Sequence, residues 1–273
     1  MYSTIISVNL LTENLSQFRV LDCRAQLGDL DYGRRAYAAG HIPGALHADL
    51  DTDFAAPPGA EGRHPLPDPQ ALAATLRRWG INDTDQIVTY DDAGGAFAAR
   101  AWWCLRWLGH AAVAVLDGGL NAWQHPLTQE VPRPRAGRFS IRPSLTRTID
   151  VTALEKLVAQ QSADNPAYHL LDARTPERFN GEREPIDPVA GHIPGAQCMP
   201  FQENLTQTGT FKAAEQLAKR FRALTEDSIC YCGSGVTAAH NVLAMNIAGC
   251  AEPMLYPGSW SEWITDPSRP CSP

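Results

Sequence analysis

Residues 229–238, Ile-Cys-Tyr-Cys-Gly-Ser-Gly-Val-Thr-Ala, run from a short apolar stretch ending at Cys232, through a glycine-bearing loop, directly into a helical pattern. A strand, a tight loop and a helix start in that order form the unit from which parallel α/β sheets are built. Gly233 and Gly235 let the backbone curl so that successive N–H groups point at one atom, the sulfur of Cys232. The following helix adds the positive end of its dipole. Both effects favour thiolate over thiol, so Cys232 reads as a nucleophile. A lone cysteine before a helix is otherwise read as a small buried hydrophobe. The two glycines and the hydroxyls of Ser234 and Thr237 weigh against that reading.

Outward from this loop the chain repeats itself. Gly40-His41-Ile42-Pro43-Gly44-Ala45 returns 151 positions later as Gly191-His192-Ile193-Pro194-Gly195-Ala196, and Leu21-Asp22-Cys23-Arg24 returns 150 positions later as Leu171-Asp172-Ala173-Arg174. Further anchors keep the same order, Tyr90-Asp91 with Tyr231-Cys232 and Leu116 to Trp123 with Tyr256 to Trp263. A duplicated domain follows. In each copy, short apolar runs (18–23, 86–90 and 112–116; 168–173 and 228–232) alternate with helical stretches such as 68–79, 96–108 and 236–248, and 68–79 opens Asp68-Pro69 like an N-cap with proline in the first turn. The expected fold is therefore α/β, two tandem domains, each a parallel sheet covered by helices on both faces. The expected bounds are 1–124, a proline-rich linker over 125–148 with Pro126, Pro132, Pro134 and Pro143, and 149–273. The stretch from Asp266 onward reads as a loose end.

Comparison of the copies bears on function. Where the second has Cys232 the first has Asp91, which is no sulfur nucleophile, so the first copy reads as catalytically silent. Asp22 with Arg24, Asp172 with Arg174, and His41 with His192 occur in both copies, the silent one included, which argues for structural roles. Cys230, two residues from Cys232, shares its strand face and reads chiefly as buried. Trp260 and Trp263 read as packing.

Composition narrows the partners. With 23 basic and 30 acidic residues the net charge is −7, which suggests no nucleic-acid or acidic-membrane partner. Seven cysteines without paired zinc spacing suggest neither a disulfide framework nor a metal site, and fit a reducing compartment. No basic segment leads into a long apolar run at the start, and no apolar run of 18 residues occurs, so a soluble cytoplasmic protein is expected.

The loop Cys232-Gly233-Ser234-Gly235-Val236-Thr237-Ala238 resembles the active-site loop of two-domain sulfurtransferases of the rhodanese family, most closely the 3-mercaptopyruvate branch. The resemblance extends over nearly the whole chain, including Gly258-Ser259-Trp260-Ser261-Glu262-Trp263 near its end. It implies an inactive amino-terminal domain and sulfur transfer through a Cys232 persulfide, without a cofactor or metal. It also implies a small-molecule donor, 3-mercaptopyruvate or thiosulfate, and an acceptor such as cyanide, a thiol or a thioredoxin-like protein. The uncharged Gly233-Ser234-Gly235 favours 3-mercaptopyruvate over the dianion thiosulfate, whose branch carries basic side chains in this loop. Gly233, Gly235, Val236 and Thr237 are the implied substrate-cradling positions.

In the 3-mercaptopyruvate branch two arginines hold the donor carboxylate. Arg178-Phe179-Asn180-Gly181 keeps the first, but Glu184-Pro185-Ile186 has isoleucine where the second is expected, with Arg183 or Arg174 as conceivable substitutes. The branch also pairs the loop serine with a histidine and an aspartate. Asp49-Leu50-Asp51 followed by His64-Pro65-Leu66-Pro67 resembles that pattern, which nominates Ser234, His64 and Asp51. Protein phosphatases on this fold require an arginine six residues after the cysteine, a position held here by Ala238. A module that only carries sulfur or docks a partner is the non-enzymatic alternative.

Overall fold

Middle strands of a parallel sheet are buried on both faces and read as unbroken apolar runs. Ile87–Tyr90, Val113–Leu116 and Ser228–Tyr231 meet that condition, each buried at every residue. The computed structural model describes residues 1–160, 168–225 and 227–273. The chain divides into two compact units: Met1–Ala56 with Leu66–Thr146 and Thr206–Phe211, and Pro57–Pro65 with Arg147–Leu205 and Lys212–Pro273.

The first unit holds strands β1 (Ile5–Ile6), β2 (Arg19–Asp22), β3 (Leu46–His47), β4 (Ile87–Tyr90) and β5 (Val113–Leu116), all parallel in the order β1-β5-β4-β2-β3. Its helices are α1 (Val8–Glu13), α2 (Tyr32–Ala39), α3 (Leu50–Asp53), α4 (Pro69–Arg78), α5 (Ala98–Trp107) and α6 (Gly119–Ala122). The Asp68 carboxylate caps α4 by accepting the Ala71 N–H, and Pro69 occupies the first turn, as the sequence predicts. Helix α5 buries Ala98 to Leu105, including both Trp102 and Trp103, against the sheet.

The second unit repeats the plan with β6 (Arg147–Thr148), β7 (His169–Asp172), β8 (Ala196–Cys198), β9 (Ser228–Tyr231) and β10 (Met254–Leu255), parallel in the order β6-β10-β9-β7-β8. Helices α7 (Val151–Gln160), α8 (Pro176–Phe179), α9 (Ala214–Arg220), α10 (Thr237–Ile247) and α11 (Ser259–Trp263) accompany it. Strand β9 lies third in five, and the chain leaves toward β10 on one side while β7 and β8 lie on the other. That is a topological switch point, where a crevice opens at the strands' carboxyl ends. Cys232 is the first residue beyond β9.

The duplicated residues hold the two copies in shape. Arg24 binds Asp22 through Nε and Nη2, and Tyr90 Oη donates to the same carboxylate at 2.6 Å. Arg174 repeats this on Asp172, with Nη2 to Oδ2 at 2.6 Å, and also donates to the Gly191 carbonyl. The rings of His41 and His192 stack on Tyr37 and Phe179 at 3.7 Å and bond the backbone carbonyls of the same residues, so both histidines fix turns. Removing one partner of a buried charge pair costs about 3–5 kcal/mol. Arg24→Ala is therefore expected to lower the unfolding free energy by about that amount, read as a shift of the urea midpoint.

Two stretches differ from their sequence reading. The tail is pinned: Ser272 exchanges backbone hydrogen bonds with His192, Trp263 Nε1 donates to the Pro270 carbonyl at 2.9 Å, and Arg269 Nε meets Glu155 at 2.7 Å. Gly191 makes this approach possible, since a Cβ there would lie 2.1 Å from the Ser272 carbonyl oxygen. The proline-rich stretch has no regular structure before β6, yet it follows the surface of the first unit, with Phe139 buried and its carbonyl bonded by Arg77 Nε.

Candidate active site

Among the described residues helix α10 begins with no side-chain cap of the kind Asp68 gives α4. Its counterpart α5 shows what belongs there. The Asp91 carboxylate accepts four backbone N–H bonds, from Ala93, Gly95, Phe97 and Ala98, at 2.8 to 2.9 Å, and so caps α5 from within the loop. Asp91 is fully buried, and burial raises its carboxyl above the ordinary range while the four donors pull it back. The loop of this fold is thus an anion cradle, and Cys232 holds the position in the second copy that the carboxylate holds in the first.

The cysteine loop is fastened from beneath. The Cys232 N–H donates to Ser259 Oγ at 3.1 Å, and its carbonyl accepts from the Trp260 N–H at 3.0 Å. The Gly233 carbonyl accepts from the Ser261 N–H at 2.9 Å. Buried Ser259 adopts φ +55°, an uncommon conformation for a side-chain-bearing residue, held by its Oγ bond to the Tyr256 carbonyl. Gly235 has φ +75°, and a Cβ there would sit 2.2 Å from the Pro257 carbonyl oxygen. The left-handed backbone alone costs an alanine about 1–2 kcal/mol, and the clash adds to it. Gly235→Ala is expected to lower kcat by at least about tenfold through a displaced loop, measured in the steady state with the fold checked by circular dichroism.

Cys232, Gly233, Ser234, Gly235, Val236, Thr237, Arg178 and His64 all fall in the second unit, His64 because Pro57–Pro65 belongs to it. Ser234 and His64 are both buried, with Nδ1 of the imidazole 2.7 Å from the serine Oγ. The segment carrying His64 is anchored by the Arg63 N–H, which donates to Ser261 Oγ at 3.0 Å. Asp51 lies on α3 of the first unit, where the Asp49 carboxylate accepts its N–H. Cys230 is buried within β9, and burial pushes its thiol well above the ordinary range, the signature of a packing residue.

A group the sequence does not mark as functional surrounds Arg178. Its Nε and Nη2 fork onto Glu184, and Nη2 also reaches Asp187 Oδ2 at 3.1 Å. The other Asp187 oxygen is bonded by Arg63. Burial raises the Asp187 carboxyl, against the pull of Arg63. Burial also works to raise Glu184, but the bonds from Arg178 and the Asp187 and Ile186 N–H groups outweigh it and hold Glu184 below the ordinary carboxylate value. Arg174 does not stand in for an arginine at 186, because its fork is committed to Asp172 and its Nη1 to Glu184. Among the described residues Arg183 is bonded through its backbone N–H, to the Glu177 carbonyl. Among the described residues no cluster of histidine, cysteine, aspartate or glutamate could hold a metal, and no helix is long and apolar enough to cross a membrane.

The model of the rhodanese-like domain matches this chain twice, over residues 7–126 and 153–266. The "Probable 3-mercaptopyruvate sulfurtransferase" of Pseudomonas aeruginosa is 52% identical over 262 residues, covering 92% of this chain and 90% of the relative. The thiosulfate sulfurtransferase of Bos taurus is 32% identical over 284 residues, covering 97% and 93%. Among solved structures, SseA from Escherichia coli, a 3-mercaptopyruvate sulfotransferase, superimposes with a TM-score of 0.80 at 30% identity and covers 96% of this chain and all of that one. Two matched domains, the doubled parallel sheet and the cysteine loop at the switch point agree: the chain belongs to the rhodanese family.

Proposed function

We propose that this chain transfers sulfane sulfur from 3-mercaptopyruvate to a thiophilic acceptor through a persulfide on Cys232. It is a sulfurtransferase, and its relatives are named for 3-mercaptopyruvate and for thiosulfate. The observation that carries the Cys232 assignment is the matching position of Asp91, whose carboxyl oxygens accept four backbone N–H bonds where Cys232 would present its sulfur. The same bonds leave Asp91 no part in sulfur chemistry, which supports a silent first domain.

The thiolate attacks the thiol sulfur of 3-mercaptopyruvate, and an S–S bond forms as the C–S bond breaks. The electron pair of that bond passes to carbon as pyruvate enolate, and the proton released from the donor thiol ends on that carbon, giving pyruvate and a persulfide anion. An acceptor then removes the outer sulfur: cyanide leaves as thiocyanate and the thiolate is restored. Cyanide, small thiols and thioredoxin-like proteins are the proposed acceptors. Ser234 and His64 form the relay that delivers the proton, the imidazole exchanging it with the serine across 2.7 Å. The family resemblance nominates Asp51 as the acid of this relay.

The relay also supports the choice of donor. Thiosulfate leaves behind sulfite, which needs no proton on carbon, whereas an enolate does. A buried Ser–His pair beside the nucleophile serves the second leaving group and is idle with the first. All seven cysteines are free, which fits the reducing cytoplasm proposed as the site of action. Steady-state sulfur transfer to cyanide with each donor tests the reading. A higher kcat/KM for 3-mercaptopyruvate is expected, and a higher value for thiosulfate would reassign the donor.

A further inference from the structure

The side chains nearest Gly233 are two guanidinium groups. A Cβ on that glycine would lie 2.9 Å from Arg63 Nη2 and 3.4 and 3.5 Å from Arg178 Nη2 and Nη1. The two arginines are 115 positions apart in the chain, yet both flank the residue next to Cys232 and share one carboxylate, with Asp187 taking Arg63 on Oδ1 and Arg178 on Oδ2. Asp187 is nearly buried, its side chain 2% exposed, so it sets the spacing of the two forks rather than a surface contact. Each fork keeps donors in reserve. Among the described residues the Arg63 side chain bonds only through Nη1, and Arg178 Nη1 has no partner. The resulting face has planar N–H donors from two directions, converging on the loop that carries the nucleophile.

That face fits a planar carboxylate, which accepts parallel bonds from guanidinium forks. Position 186, where the family resemblance leads one to expect the second such arginine, holds an isoleucine that is 40% exposed and contributes only its N–H, to Glu184. We propose that Arg63 supplies that second guanidinium: with Arg178 it holds the carboxylate of the 2-oxo acid donor beside Cys232 and so determines the donor. The inference rests on the donor reading above and deepens it. The chain thus carries its carboxylate-binding arginine next to His64, on a segment anchored to Ser261, instead of on the Glu184–Asp187 turn. The donor's charged end and its proton relay are then fixed by adjacent residues of one short segment.

The test compares wild type with Arg63→Ala, and with Arg63→Gln, which keeps the length of the stem. It measures the KM for 3-mercaptopyruvate and inhibition by two probes of the same shape, pyruvate and its uncharged amide. A hydrogen-bonded charge of this kind corresponds to about ten- to hundredfold in binding. The KM for 3-mercaptopyruvate and the inhibition constant of pyruvate are expected to rise by that factor in both variants, with kcat within a few fold and inhibition by pyruvamide unchanged. Loss of pyruvate and pyruvamide binding in equal measure would overturn the proposal, because it would mean that the loop had moved. An unchanged pyruvate constant would overturn it outright. A wild-type chain that does not turn over 3-mercaptopyruvate would instead sink the donor reading, so the two failures are separable.

Discussion

Cys232→Ser is expected to abolish sulfur transfer from both donors to cyanide, while the urea unfolding midpoint stays close to that of wild type. A serine hydroxyl in the same cradle is bonded as an oxygen acceptor, but at neutral pH it neither ionises nor forms a labile bond to sulfur. Loss of a covalent nucleophile removes the reaction path itself, so the activity falls to the uncatalysed background. The fold has no reason to change: Cys232 contributes its backbone to Ser259 and Trp260 whatever its side chain. The reciprocal substitution, Asp91→Cys, is expected to add no second active centre. The first copy has a longer stretch between its strand and its helix, Asp91 to Ala98 against Cys232 to Thr237, so a sulfur there would meet a differently spaced set of donors.

Ser234→Ala and His64→Ala separate the two donors. Proton transfer by a positioned side chain contributes about 10²–10⁴-fold, and kcat with 3-mercaptopyruvate is expected to fall within that range in either variant. With thiosulfate, whose leaving group takes no proton on carbon, kcat is expected to stay within a few fold of wild type. The double variant should cost about as much as either single one, because a relay fails as a unit. Steady-state kinetics with both donors reads all of this. An equal loss with thiosulfate would mean that the pair shapes the loop instead of moving a proton. Asp51→Asn is expected to act in the same direction with 3-mercaptopyruvate and to leave thiosulfate alone.

The legible part of this protein lay in elements whose sequence is forced by short-range physics. In both Gly-His-Ile-Pro-Gly-Ala turns the histidine stacks on an aromatic ring and bonds the carbonyl of that same residue, so the motif survives duplication and can be found by eye. Fully buried runs such as Ile87–Tyr90 announce themselves by composition. The edge strands Ile5–Ile6 and Arg147–Thr148, and Met254–Leu255 one place in from an edge, are too short to show any period and exist because neighbouring strands offer hydrogen bonds. The tail reads as polar and proline-rich, and only tertiary contacts with Glu155 and His192 show that it is held.

At the site the same division holds. The nucleophile, its glycines and the serine sit within one loop, where spacing carries the message. Arg63 and Asp187 are 124 positions apart, and nothing in either neighbourhood marks them as partners. The clue available in the sequence was indirect: a carboxylate-binding position filled by Ile186 implies that the charge comes from elsewhere. The substitutes that the sequence suggested were Arg183 and Arg174, and Arg63, although it stands beside His64, was not among them.

The central claim is tested most directly by the mass of the protein after it has been mixed with 3-mercaptopyruvate and freed of excess donor, followed by peptide mapping. The account predicts one added sulfur per chain, located on the peptide containing Cys232 and removed by cyanide with release of thiocyanate. No added sulfur, or sulfur on a peptide carrying Cys198, Cys250 or Cys271 and not on Cys232, would contradict it.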